Sequence, residues 1–450
     1  MHHQYLPAKA LVRWPFNKKP PRGDSKIHLQ LLLVLILALL NGCDSAERVA
    51  VIEGMSMAPH LYGVHSKLPC VDCGFQAVLR GDVPIENPIC PNCGLTNRSA
   101  IIERCPAPAV KVRELTNLPE RWNVYAFFVL QPNGEKRVTV KRLAGIPNEE
   151  LTISEGDLWV AGKRVLKNWK QQRQLAVLLR DFQFLPRDDS GSDILPWQFF
   201  GEPNAWTIGR DGIRYRPLNS PDKLARIEYL HWAGYHSGQP RFASLPVMNA
   251  QPFDPLEAGS LTPVYDLLLE ADIDSGNCDF RLEWRLFSAP LTVDFLASQQ
   301  KLLIRSGEAI LHSSKWDPPP QGSSLGCSTF DRCLTIAIDD RQLVQVPIAL
   351  TPSADRNQLS RPFALMGLDT EFVLSGLKLY RDVHYADRLE TAGGDSEKGR
   401  YKLGEEEYFF LGDNPADSID SRDWSRPGLK LKQIIGSVSP PLTTEPDGNR

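Results

Sequence analysis

A chain of 450 residues is long enough for two or three domains, each with its own core. Its 42% hydrophobic and 23% charged residues describe an ordinary globular protein, and a formal net charge of −3 gives no reason to expect nucleic acid as a partner. The 36 prolines and 32 glycines favour short strands and loops, and nine cysteines are too few to staple a chain this long, so their spacing is what informs.

Residues 1–26 form a basic segment, with Lys9, Arg13, Lys18, Lys19, Arg22 and Lys26 set against Asp24. An apolar run from Ile27 to Leu40 follows, interrupted by His28 and Gln30. Basic residues before an apolar run orient it with the amino terminus inside and the remainder exported. Residues 27–43 therefore read as a transmembrane anchor, although the run falls short of the roughly 20 residues of a spanning helix. Leu40-Asn41-Gly42-Cys43 also resembles the lipobox of bacterial lipoproteins, which would put a lipid anchor on Cys43. Either reading predicts the cell membrane as location, with the lipid bilayer as a partner and the rest of the chain on its extracytoplasmic side.

Three segments further on carry residues with chemistry. In Val49-Ala50-Val51-Ile52-Glu53-Gly54-Met55-Ser56-Met57-Ala58-Pro59 a β-branched strand runs into a turn that presents Ser56. In Val138-Thr139-Val140-Lys141-Arg142-Leu143-Ala144-Gly145-Ile146-Pro147 an alternating strand delivers Lys141 before a Gly and Pro turn. In Phe410-Leu411-Gly412-Asp413-Asn414 a strand opens into a turn, followed by Ser418, Asp420, Ser421 and Arg422 at close spacing. Taken singly, each reads equally as a structural turn, a surface lysine or a polar loop. A serine hydroxyl needs an adjacent base to become a nucleophile. A lysine can be that base when desolvation keeps its amine neutral; Arg142 cannot, because guanidinium stays protonated.

In this order the segments resemble signal peptidase I, through Ser-Met-x-Pro, Lys-Arg-x-x-Gly-x-Pro and Gly-Asp-Asn-x-x-x-Ser-x-Asp-Ser-Arg. The matches span residues 49–60, 121–166 and 405–438. The resemblance implies Ser56 as nucleophile, Lys141 as general base, and Ser418 hydrogen-bonded to Lys141. It implies an Asp420–Arg422 ion pair that holds the loop bearing Asp413 against the dyad. Gly54 stands where many members have a hydroxyl residue, leaving the Ser56 N–H as oxyanion donor. Asn148 replaces the family's usual glycine, a modest change, since Asn tolerates left-handed backbone. The implied activity is endopeptidase removal of signal peptides from exported preproteins, with no cofactor for catalysis.

Cys70-Val71-Asp72-Cys73-Gly74 and Cys90-Pro91-Asn92-Cys93-Gly94 are two knuckles, with sixteen residues between Cys73 and Cys90. Four thiolates facing one ion make a closed, structural Zn²⁺ site, so 68–97 reads as a zinc-ribbon insert. Two disulfides are the competing reading in an oxidising compartment. Cys327 and Cys333 stand close enough in sequence for a local disulfide as well.

Residues 171–400 leave this pattern. Gln172–Arg180 reads as helix or strand without a decision. Alternating runs then recur at Ala225–Trp232, Val264–Ala271, Phe280–Leu286, Leu302–Arg305, Cys333–Ile338, Leu343–Val346 and Phe372–Tyr380. Short strands at this spacing predict an inserted two-sheet β sandwich. The run Leu374–Tyr385 resembles the last strand of concanavalin-like jelly rolls, which implies a jelly-roll-like sandwich with carbohydrate as a weakly indicated partner. The expected whole is mainly β: a split protease domain on 49–170 and 401–440, a zinc ribbon, and the sandwich on 171–400. The rival is a lectin-like envelope binding protein on a degenerate protease scaffold. It requires loss of a dyad member, and none is lost.

Overall fold

The described residues are mainly antiparallel β-structure with few helices. The computed structural model describes residues 12–13, 48–52, 54–81, 87–97, 102–130, 134–187, 196–217, 225–232, 244–249, 262–274, 277–385 and 399–439. Two compact units interleave along the sequence: Met1–His65, Pro106–Leu151 and Gly399–Arg450 form one, Ser66–Cys105 and Thr152–Lys398 the other. The four-cysteine stretch and residues 152–170 thus belong with the large insertion, where the sequence reading placed 152–170 with the smaller domain.

In the first unit the sheet runs in the order Arg48–Ile52, Ala109–Glu114, Ile434–Val438, Val124–Leu130, Lys136–Gly145, Glu407–Leu411 and Leu429–Lys430. Period-two alternation lets the sheet be covered on both faces. Ala50, Ile52, Val110, Val112, Ala126, Val138 and Val140 pack on one side. Tyr125, Phe127, Leu143 and Phe410 pack on the other. Met57 and Leu61 join the first cluster, so the turn after Ser56 is anchored by its apolar neighbours.

The second unit holds two sandwich-like sheets. One runs Trp206–Gly209, Gly212–Tyr215, Phe372–Arg381, Leu267–Ile273, Ser323–Ser328, Cys333–Ile338 and Arg341–Pro347, with Val177–Asp181 paired on Phe372–Arg381. The other runs Trp197–Gly201, Ala225–Tyr229, Phe363–Gly367, Asp279–Trp284, Leu291–Leu296, Lys301–Ser306 and Ala309–Lys315. Their inward residues share one core, with Tyr229, Phe280, Trp284, Phe363 and Phe372 among its large members. The undecided stretch at 172–180 contains both alternatives. A helix, Trp169–Leu175, opens on an Asn168–Gln171 capping box and gives way to the strand Val177–Asp181. The local disulfide does not form: Cys327 and Cys333 are both free, and Trp284 Nε1 donates to Cys327 Sγ at 3.4 Å.

The expected membrane anchor has no support in the described residues. Among the described residues no helix is long and apolar enough to cross a membrane. The stretch 27–43, with Cys43, lies outside the described residues.

Candidate active site and cysteine cluster

Ser56 and Lys141 meet within the first unit. The strand Arg48–Ile52 carries the chain into a turn in which Ala58 N–H donates to Met55 O at 3.0 Å and Leu61 N–H to Met57 O at 2.8 Å. Ser56 is buried there at 1% exposure. Lys141 lies inside the strand Lys136–Gly145, opposite Tyr125, and is also 1% exposed. The sequence reading put it at a strand end; the strand instead continues to Gly145 and draws the amine into the interior. Lys141 Nζ lies 2.5 Å from Ser56 Oγ. Burial strips hydration from the ammonium and brings the lysine down to about 8 from 10.5, against the opposing pull of Asp420 and Asp413.

Each of those carboxylates is held by an arginine. Arg422 Nε and Nη2 reach Asp420 Oδ1 and Oδ2, both at 2.8 Å. Arg142 Nε and Nη2 reach Asp413 Oδ1 and Oδ2 at 2.6 and 2.5 Å, and its Nη1 donates to Trp122 O at 2.5 Å. Such two-pronged pairs are the strong form of charge-assisted hydrogen bond. Burial would raise both aspartates. For Asp420 the opposing effects of Arg422, Lys141 and the Gly412 N–H prevail and hold it at about 2. For Asp413, Arg142 and His60 outweigh burial and keep the carboxyl well below the usual range.

The loop from Gly412 closes over the nucleophile. Asn414 N–H donates to Ser56 O at 3.0 Å. A Cβ on Gly412 would lie 2.2 Å from Ser418 Oγ and 2.5 Å from Ser56 O, so no larger residue fits between them. Ser418 donates its hydroxyl hydrogen to Asp420 Oδ2 at 2.8 Å. A bond between Ser418 and Lys141 would therefore have to run from the amine to the serine oxygen. Gly54 is buried within the same turn. Asn148, placed where left-handed geometry was expected, has φ 65°.

Sequence reasoning missed His60, whose Nδ1 lies 2.9 Å from Asp413 Oδ2. It also missed a buried group in the second unit, Asp157, Asp331 and Asp382, whose carboxylates lie within 4.8 Å of one another. Lys167 pairs with Asp331 and, at 2.9 Å, with Asp382; Arg164 pairs with Asp157 at 2.7 Å. The members span residues 157–382, so no local pattern could reveal them.

Cys70, Cys73, Cys90 and Cys93 bring their sulfurs within 4.8 Å of one another. Cys70 Sγ is 3.5 Å from Cys93 Sγ, and Cys73 Sγ 3.7 Å from Cys90 Sγ. These are not disulfide lengths of about 2.05 Å. They approach the roughly 3.8 Å edge of a tetrahedron with metal–sulfur bonds of about 2.3 Å. The knuckles share one geometry. Gly74 N–H returns to Cys70 O at 3.0 Å and Gly94 N–H to Cys90 O at 2.8 Å, with φ of +81° and +75° that a side chain would resist. Hydrogen bonds from the other thiols hold Cys70 down, and contacts with the cluster push Cys90 and Cys93 up. Four thiolates cannot coexist there without a cation. The cluster is one that could hold a metal ion.

No protein-family model matches the chain, and no curated protein matches it. Among solved structures it is similar to a carbohydrate-binding module from Bacillus subtilis, at 14% identity and TM-score 0.27 over 42% of this chain and 96% of that one. It is similar to a galectin of Caenorhabditis elegans, at 13% identity and TM-score 0.19 over 26% and 79%. A Trypanosoma rangeli sialidase variant aligns at 12% identity and TM-score 0.27 over 76% and 59%. Scores this low carry no argument about activity. With no family model and no curated protein matching the chain, the expected membership of the signal peptidase I family is corrected: nothing in the comparisons supplies it. With it go the removal of signal peptides and the exported preproteins and lipid bilayer as partners.

Proposed function

We propose that the first unit is a serine hydrolase that cleaves peptide bonds through a Ser56–Lys141 dyad. The observation that supports this is the 2.5 Å approach of a buried lysine amine to a buried serine hydroxyl. In the neutral state Lys141 takes the Ser56 proton as Oγ bonds to the substrate carbonyl carbon. The ammonium then gives that proton to the departing amine as the C–N bond breaks. Water, deprotonated by the same lysine, attacks the resulting Ser56 ester; its C–O bond breaks, the ammonium returns a proton to Ser56 Oγ, and the acid is released. Backbone N–H groups at the Ser56 turn would meet the oxyanion.

The test is mass spectrometry after treatment with a fluorophosphonate, together with cleavage of an unstructured polypeptide. Modification at Ser56 and cleavage, both rising with pH through about 8 and lost in Ser56→Ala, are expected. No modification and no cleavage between about pH 8 and 10 would overturn the reading.

A second reading concerns the second unit: it binds carbohydrate. Supporting it is a narrow cleft lined by Phe182, Trp197, Gln183, Arg210, Gly212 and Leu377, among others. Trp197 Nε1 is buried there with no acceptor among the described residues. A buried donor beside aromatic rings suits a single sugar hydroxyl. A glycan array left blank by the wild type would remove this reading, and one answered equally by Trp197→Ala would remove the cleft as its site.

The same reading of the cysteine cluster gives structural Zn²⁺, held by Cys70, Cys73, Cys90 and Cys93 as a closed four-thiolate site. It would supply folding energy to the ribbon and no chemistry to the dyad.

A further inference from the structure

We propose that His60 is a positioning residue for the Lys141 base, acting through Asp413. The inference rests on the dyad reading and adds a residue to it.

His60 follows the nucleophile by four positions, on the turn tied by the Leu61–Met57 hydrogen bond. Its Nδ1 approaches the same Asp413 oxygen that Arg142 Nη2 holds. Asp413 is fully buried, and its charge is one of the two main influences that favour the protonated form of Lys141. Whatever draws the Asp413 charge toward His60 and Arg142 turns it away from the amine. The side chains of Arg142 and Asp413 are 4% and 0% exposed, whereas that of His60 is 19% exposed. His60 is therefore where this buried chain of groups meets solvent.

The charged groups around Lys141 are Arg142 from its own strand and Asp413, Asp417, Asp420 and Arg422 from the loop after Leu411. Asp420 has its own arginine in Arg422. Asp413 is shared between Arg142 and His60, so a change at His60 reaches Lys141 through Asp413. An imidazole N–H on Asp413 offsets part of its charge. The fraction of that offset reaching the amine should move its titration by about half a unit to one unit.

The experiment uses the full chain with ¹³C-labelled lysine. The Lys141 signal is the one missing from Lys141→Met. His60→Phe should move its titration midpoint upward by about half a unit to one unit, and His60→Gln, which keeps a donor, should leave it near the wild-type value. Where hydrolysis is present, its rate at pH 7 should fall about two- to tenfold in His60→Phe while the plateau at high pH is held. An unmoved Lys141 midpoint in His60→Phe would overturn the proposal, as would an equal shift in both variants. A moved midpoint in a chain with no Ser56-dependent hydrolysis would uphold the His60–Asp413–Lys141 linkage and reject the dyad reading instead.

Discussion

Lys141 is among the largest fully buried side chains of the protein, and that placement has a thermodynamic signature. Its amine titrates near 8 when folded and near 10.5 as an ordinary lysine. Between those values the unfolded chain binds more protons than the folded one, so stability should rise with pH from about 8 to 10.5. The full effect is roughly 3 kcal/mol. Lys141→Met should lack this rise, which denaturant titrations across pH 7–11 would read directly. A parallel rise in the variant would place its cause elsewhere. Arg422→Met should cost about 3–5 kcal/mol, because Asp420 would remain as a buried charge without its partner. Adding Asp420→Asn should recover part of that loss in the same titration. Ser56 and Lys141 were legible in the sequence because each ends or interrupts a run with strong strand character. His60 was not, since a lone histidine in a turn declares nothing until Asp413, from the far end of the chain, is placed beside it.

The cysteine ribbon belongs to the scale of the element. It is joined to the segment after Val177–Asp181 by Asn92, whose Oδ1 accepts from Asp181 N–H at 2.8 Å and whose Nδ2 donates to Phe184 O at 2.8 Å. Phe75 meets Phe184 edge-on at 5.5 Å, and Asp72 accepts from Arg187 N–H at 2.8 Å. The apolar cluster around the four sulfurs adds little more than Phe75, Leu95 and Phe184, too small a core to order the loop alone. Cys90→Ser or zinc chelation should therefore unravel residues near 68–97 and loosen Phe182–Leu185, while the sandwich strands stay protected. Hydrogen exchange read with a zinc assay checks this; a metal-free chain with unchanged protection at the ribbon would contradict it. The knuckles and most sandwich strands could be read from sequence, because a turn glycine and period-two burial are local properties. The aspartate group around Lys167 could not, since each member is an ordinary residue until the sheets stack.

At the scale of the whole molecule, a larger β unit interrupts a smaller one. The local motifs are dense in the smaller unit, whereas no family model and no curated protein matches the chain. That is how a reading built on about a fifth of the residues could bring Ser56 and Lys141 together and still name a family that the comparisons do not supply. Loop closure grows slowly with length, about 0.6 kcal/mol per doubling, so carrying the long insertion costs the smaller unit little.

The interleaving also sets an order in time. The ribosome releases Ser56 early, Lys141 later, and the Gly412–Arg422 loop after the whole intervening sandwich has been made. Until that loop arrives, the nascent chain lacks both Asp413 and Asp420, along with the Asn414 N–H that fixes the Ser56 carbonyl. On the proposed reading, the Ser56–Lys141 pair is therefore complete only once its last segment has been made. A chain stopped before Gly399 should leave Ser56 unmodified by fluorophosphonate, and labelling of such a fragment would show that the pair assembles without its last segment.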